Sequence, residues 1–105
     1  MKIEDSGKRI KYKTGALRDT EEGKVRYDLL PPECLRRVAR HYTNGAKKYS
    51  AHNWKKGIPS ERFLSSALRH LMQYWLGERN EDHLSAVVFN VFGIIYNEEK
   101  GHKIK

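Results

Sequence analysis

Cysteine is almost absent from the chain. Cys34 stands alone, which excludes an internal disulfide and a cysteine-built zinc site. Long apolar runs are missing as well: the longest, Leu84 to Tyr96, carries Asn90 and falls short of the roughly 20 residues that a membrane-spanning helix needs. The opening MKIEDSGKRIKYK has no apolar stretch of the kind a secretory signal requires. No GxxxxGK[ST] phosphate loop and no GxSxG nucleophile elbow occurs. Cys34 therefore reads as a packing residue rather than a nucleophile. These absences point to a soluble protein of a reducing compartment, cytoplasmic (in the host if the source is viral), with no membrane partner. Acidic residues are scarce: Asp and Glu number 13 against 21 Lys and Arg, giving a net charge of +8. That balance favours a polyanionic partner: nucleic acid, nucleotide phosphates or an anionic membrane surface. A length of 105 residues fits one domain, 1–105, with a single core.

Residues 1–29 are polar, with scattered glycines and no sustained period. They read as an irregular basic segment of loops and short strand-like pieces, and composition leaves a disordered arm open. Pro31 and Pro32 punctuate the chain. Leu35, Val38, Ala39 and Tyr42 then recur with helical spacing, and Asn44-Gly45 is the expected stop. Residues 46–59 have no period and read as a loop. Ser60 is the expected N-cap of a second helix reaching about Gly77, with a wide stripe from Phe63 to Leu76. After the polar turn GERNED, with Asp82 as cap, a third helix covers 83–99, with Leu84, Val87, Val88, Val91, Phe92 and Ile95 expected inward. The expected fold is thus all-α, a small helical bundle around a central antiparallel helix hairpin. Apolar surface in excess of one partner helix predicts a homo-oligomer, a dimer or larger.

Between Cys34 and Ser60 lie seven Lys and Arg and no acid, interleaved with Tyr42, Tyr49 and Trp54. Cations neutralise phosphates while aromatic faces stack on bases. The bland alternative is a solvated basic surface over a packed Trp54. Lys47, Lys48, Trp54 and Lys56, with Arg18, Lys24 and Arg26 from the first segment, are the candidate ligand-binding residues. His70, Glu78, Asp82 and His83, at the facing ends of the hairpin, are the candidate metal ligands, with Glu78 and Asp82 as catalytic carboxylates. Neither of the last two helices carries HExxH, ExxE or ExxD, so satisfied structural polar groups compete with a metal site. His83, Asn90 and Asn97 form a polar stripe at intervals of seven.

Several motifs in one order then carry a resemblance: TGALRD (Thr14 to Asp19), GKVRYDLLPP (Gly23 to Pro32), GAKKY (Gly45 to Tyr49), NWKKG (Asn53 to Gly57), ALRHL (Ala67 to Leu71), GERNEDHL (Gly77 to Leu84) and Asn90. Over about residues 14–99 the chain resembles the bacteriophage dATP/dGTP diphosphohydrolase N-terminal domain family. That family looks related to the MazG-like all-α nucleotide pyrophosphohydrolases. The resemblance implies an ordered first segment and purine nucleotide phosphates as ligands. It also implies metal-dependent hydrolysis of a nucleoside triphosphate to monophosphate and pyrophosphate, with Mg²⁺ or Mn²⁺ held by helix-borne carboxylates. The chain departs from that pattern: His83 and Ala86 stand at acidic positions of the third helix, and His70 where a glutamate belongs on the second. Either the histidines rebuild the metal site with Glu78 and Asp82, or the protein binds nucleotides without cleaving them, for example sequestering host signalling nucleotides. A nucleic-acid-binding module is the third reading.

Overall fold

The structure, a computed structural model, describes residues 7–20 and 22–101; residues 1–6 of the expected irregular segment, Glu21 and residues 102–105 lie outside the described residues. The chain divides into two compact units, Met1–Leu30 and Pro31–Lys105.

The first unit holds a small antiparallel hairpin, β1 (Arg9–Lys11) and β2 (Leu17–Asp19), in the register Arg9↔Asp19, Ile10↔Arg18, Lys11↔Leu17. Its loop is Lys13-Thr14-Gly15. The Gly15 N–H donates to Tyr12 O and the Tyr12 N–H to Ala16 O, both at 2.9 Å, and Gly15 sits at φ 89°. A three-residue hairpin loop needs that left-handed position, which is why glycine occupies it. The segment closes with a 3-10 turn, Tyr27–Leu29, beside a bidentate Arg26–Asp28 pair at 2.8 and 2.7 Å.

The second unit is helical: α1 (Pro32–Lys48), α2 (Ser60–Trp75) and α3 (His83–Glu99). Pro32 opens α1, where its missing N–H costs nothing. The expected stop at Asn44-Gly45 is corrected, because α1 runs through Gly45 to Lys48. An interior glycine costs a helix only about 1 kcal/mol, and the last-turn lysines Lys47 and Lys48 face the negative end of the helix dipole. Ser60 is not a side-chain cap of α2 either; its hydroxyl accepts from the Asn97 amide at 3.0 Å instead. The end of α2 follows the glycine rule. Gly77 at φ 87° donates to Tyr74 O, and the Glu78 N–H reaches Gln73 O, both at 3.0 Å, closing a Schellman motif. Asp82 caps α3 as its side chain suggested, accepting from the Ser85 N–H at 3.2 Å and the Ser85 hydroxyl at 2.7 Å.

Helices α2 and α3 form the antiparallel hairpin: Ser60 meets Asn97 at one end, Phe63 meets Gly93, and His70 meets His83 at the other. The inward face of α3 differs from the expected one. Among its residues, His83, Ser85, Ala86, Asn90, Gly93 and Asn97 are buried, while Val91, Phe92 and Ile95 are exposed and Leu84, Val87 and Val88 half-buried. The reason is size. The Phe63 ring, 2% exposed, lies against the bare backbone of Gly93, and Ala67 and Ala86 are also buried, so the helices approach on their smallest side chains. The polar stripe that comes inside with them is hydrogen-bonded. Asn90 donates to Ala86 O at 2.7 Å and Asn97 to Ile58 O at 3.0 Å. Leu64, Leu68, Leu71, Met72, Trp75 and Leu76 are left on the outside of α2. Among the described residues no helix is long and apolar enough to cross a membrane.

Candidate functional site

Two adjoining cavities in the helical unit share His41, Gly45, Tyr49, Ser66, Arg69, Phe89 and Asn90 as walls, so they form one cleft with two lobes. The first lobe, about 600 Å³, is aromatic, lined by Tyr42, Tyr49, His52, Trp54, Phe63 and Phe89. The second, about 850 Å³, is basic, lined by Arg37, Arg40, Lys48 and Arg69, with His70, Glu81 and Asp82.

Sequence dictates the aromatic lobe through the irregular stretch after α1. His52 takes a left-handed conformation (φ 62°) and starts a 3-10 turn, Asn53–Lys55, which seats Trp54 half-buried. Trp54 packs edge-on against Tyr96 (4.9 Å between centroids) and Tyr42 (6.2 Å), with Lys55 over its ring at 5.4 Å. Tyr42 in turn meets Phe89 at 4.9 Å, and burial pushes its phenol above the ordinary tyrosine value. Tyr49, by contrast, is 64% exposed at the junction of the lobes, with the Lys48 ammonium 5.1 Å from its centroid.

The basic lobe collects its cations from α1 and α2. Arg37, Arg40 and Lys48 come from α1 and Arg69 from α2. Arg37 is committed: it grips Asp82 bidentately at 2.7 and 2.8 Å, which raises its own pKa and holds the Asp82 carboxyl well below the usual range. Arg40, Lys48 and Arg69 make no ion pair among the described residues.

At the wall of this lobe, which His70 lines, the α2–α3 hairpin brings two buried histidines together. His70 Nδ1 and His83 Nδ1 are 2.9 Å apart, and Glu81 Oε1 lies 3.9 Å from His70 Nδ1. The three residues offer ligand atoms all within 4.8 Å of one another. Asn80 Oδ1 lies 3.1 Å from His83 Nε2. Arg79 staples the turn, donating to Tyr74 O and Glu78 O and lying 4.0 Å over the Tyr74 ring. Burial lowers the His70 pKa, with Glu81 pulling the other way, so its neutral form is favoured.

The residues picked from sequence are distributed unevenly over this geometry. His70 and His83 are in contact. Asp82 is taken up by Arg37 and by the α3 cap, and Glu78 is exposed outside the ligand group, whose carboxylate is Glu81. Lys48 and Trp54 line the cleft, whereas Lys47 and Lys56 are exposed outside its walls, Lys56 bonded to Ser50 Oγ at 3.2 Å. Arg18, Lys24 and Arg26 belong to the N-terminal unit, where Lys24 lies 3.5 Å from Asp19 and Arg26 pairs with Asp28. Arg40 and Tyr49 belong to the basic, aromatic-interleaved stretch without being among the chosen ligand-binding residues, and Arg69, Asn80 and Glu81 were missed. For Glu81 a signal existed: Glu78 and Glu81 make an ExxE spacing, on a turn rather than a helix.

The fold and cleft therefore define a small, mostly helical protein with an aromatic lobe beside a cationic one, a form suited to a base joined to phosphates. The chain belongs to the family described as dATP/dGTP diphosphohydrolase, N-terminal, whose model matches residues 14–105. Comparisons with curated proteins and with solved structures give no match. The magnesium cluster of several carboxylates that the MazG-like resemblance implies does not fit these residues. Ala86 and His83 replace two acids, Asp82 is engaged by Arg37, and the ligand group contains two imidazoles and one carboxylate.

Proposed function

We propose that the helical unit binds a purine deoxynucleoside polyphosphate and hydrolyses it to the monophosphate and pyrophosphate. The observation that carries this reading is the continuity of the aromatic and basic lobes, with His70 and Glu81 lining the basic end and His83 buried behind His70. The base occupies the aromatic lobe, with the Tyr49 ring, 64% exposed and free on the face away from Lys48, as the stacking surface, since Trp54 is half-buried and packed against Tyr42 and Tyr96. Arg40, Lys48 and Arg69 take the phosphates, whose charge they neutralise. In the reaction a water oxygen bonds to the α-phosphorus, the bond from that phosphorus to the bridging oxygen breaks, and pyrophosphate leaves with the electron pair. The water's proton passes to the leaving group or solvent. His70, Glu81 and His83 would hold a divalent ion, which would supply charge neutralisation and an activated water. The family's description, which names dATP and dGTP, supports both the substrate class and the reaction.

Capture without turnover is the second reading. It is favoured by the engagement of Asp82 with Arg37, which leaves Glu81 as the one carboxylate of the ligand group. One experiment separates the two: incubation with dATP, dGTP and pyrimidine counterparts, with and without divalent metals, followed by ³¹P NMR. Pyrophosphate appearing with the purine monophosphate supports hydrolysis. Intact ligand that co-elutes with the protein under every metal supports capture. If no nucleotide is retained or cleaved, the cleft has been misread, and a nucleic-acid ligand for the basic surface becomes the better account.

We further propose that the protein is a homo-oligomer, joined through the outward leucines and Trp75 of α2 and the outward Val91, Phe92 and Ile95 of α3. An apolar surface of that extent is costly to leave in water.

A further inference from the structure

The geometry points to a borderline divalent transition ion, of the Mn²⁺, Fe²⁺, Co²⁺ or Zn²⁺ type, held by His70 Nδ1, His83 Nδ1 and Glu81, with Asn80 as the residue that positions His83. The inference deepens the proposed function by naming the ion, and rests on that reading only for the ion's role; the binding itself is measured without nucleotide.

Three observations carry it. The first is the spacing of the two imidazoles. Ligand atoms each about 2.1 Å from one ion, at right angles, are about 3.0 Å apart, and the two Nδ1 atoms stand 2.9 Å apart. The spacing therefore suits an ion in place of the hydrogen bond, once each ring turns so that its lone pair points to the ion rather than along the line between the two nitrogens. Glu81 needs a larger shift, and can make it: it sits on the turn between α2 and α3 with its side chain half exposed.

The second observation is the tautomer. An amide oxygen only accepts, so His83 Nε2 donates to Asn80 Oδ1, and the neutral ring must then present a bare lone pair at Nδ1. That lone pair faces His70. A carbonyl oxygen behind a ligating histidine is the usual means of orienting it. In the metal-free pair His70 Nδ1–H is the donor, and moving its proton to Nε2 frees the second ligand without adding charge to a buried site.

The third is the chemistry of the set. Magnesium demands oxygen ligands and near-octahedral geometry, whereas imidazole suits borderline ions. Two nitrogens and one carboxylate give a three-residue site with positions left over. His70 and Glu81 line the basic lobe, so those positions lie next to Arg40, Lys48 and Arg69.

The test uses the full chain, stripped with chelator and titrated with Co²⁺ alone. Expected are one equivalent bound, visible d–d absorption, and displacement by Zn²⁺ or Mn²⁺ but not by Mg²⁺ in large excess. Because His83 is 1% exposed and its loss could unfold the hairpin, the deciding variants are the exposed Glu81→Gln and Asn80→Ala. With helicity unchanged, Asn80→Ala should weaken Co²⁺ binding about 10–100-fold, and Glu81→Gln at least as much. No stoichiometric binding, unchanged affinity in both variants, or equal competition by Mg²⁺ overturns the site. Magnesium-supported hydrolysis without Co²⁺ binding would sink this inference and leave the proposed function standing. Co²⁺ binding without any retained nucleotide would do the reverse.

Discussion

Gly93→Ala sets two known effects against each other, and the structure decides which wins. In an unconstrained helix interior, alanine is favoured over glycine by about 1 kcal/mol. At Gly93 the added Cβ would lie 2.5, 2.5 and 2.6 Å from three ring carbons of Phe63. Carbon atoms in comfortable contact sit about 3.5–4.0 Å apart, so roughly 1 Å must be recovered by moving a ring or a helix. Phe63 is 2% exposed and meets Phe89 on another side (6.3 Å between centroids), so the ring has little space into which it can retreat. Overpacking of this kind costs about 1–3 kcal/mol and more when backbones must part. The shielded ring puts this case in the upper part of that range, about 2–3 kcal/mol, so the clash outweighs the propensity gain and leaves a net loss of about 1–2 kcal/mol, or a fall in Tm of roughly 5–15 °C for a domain of this size. Gly45→Ala is the matched control. It lies inside α1 with nothing within 4 Å of the new Cβ, so it should raise stability by about 0.5–1 kcal/mol. Circular dichroism melts and urea titrations at one fixed protomer concentration measure both, since any association makes Tm depend on concentration. Phe63→Leu in the Gly93→Ala background should recover part of the loss. The reasoning fails if Gly93→Ala matches or exceeds wild-type stability, or if Phe63→Leu adds its own cost in full with no recovery.

Asp82→Ala should lower stability by about 1–2 kcal/mol through loss of the α3 cap, with Asp82→Asn milder because it keeps an acceptor; denaturation of the purified variants checks this. Because Arg37 holds the folded-state carboxyl well below its ordinary value of 3.8, this stabilisation is present above that pH and drains away as pH falls from there toward the depressed folded-state value. Arg37→Ala should accordingly lose less on acidification, and an acid titration of both proteins at pH 2–6 would expose an equal loss as the refuting result. Lys48→Glu should weaken purine nucleotide binding at least about tenfold, as expected for losing one charge-assisted contact and adding a repulsion, and Tyr49→Ala by a similar factor through lost stacking. Calorimetry that finds neither variant changed would place the ligand outside the cleft. Light scattering should return a mass above the monomer, and Leu68→Asp with Trp75→Lys should reduce it to one chain; a monomer across the micromolar to millimolar range refutes the oligomer.

Much of the helical unit was legible because its termini obey local rules. Gly77 takes the left-handed position past α2, and Asp82 takes the N-cap of α3, both written in residue types that do little else as well. Gly45 shows the limit of the same signal: a glycine ends a helix only when its backbone turns over, and here good helix formers on its far side carry α1 onward. Which stripe of α3 faces inward was not legible by hydrophobicity, since the leucines and valines outnumber the polar stripe. What chose the inward face was volume. Gly93 and Ala86 share a stripe with His83, Asn90 and Asn97, and bringing Phe63 onto Gly93 carries those polar groups inside.

The candidate site inherits its ambiguity from the turn. Five acidic or imidazole groups stand near the hairpin end in the sequence, and spacing could not say which of Glu78, Glu81 and Asp82 would reach the histidines. Two local devices decide it. The Schellman closure on Gly77 leaves Glu78 exposed at the far side of the turn, and Arg79 stapled over Tyr74 fixes the loop from which Asn80 and Glu81 project. Asp82 is removed by its own success as a cap: its oxygens are shared among the Ser85 N–H, the Ser85 hydroxyl and the Arg37 guanidinium. A carboxylate so engaged would have to surrender a helix start and an ion pair before it could ligate a metal. Glu81, exposed and 3.9 Å from His70, gives up neither, and that difference in cost favours it over Asp82 as the carboxylate of the proposed site.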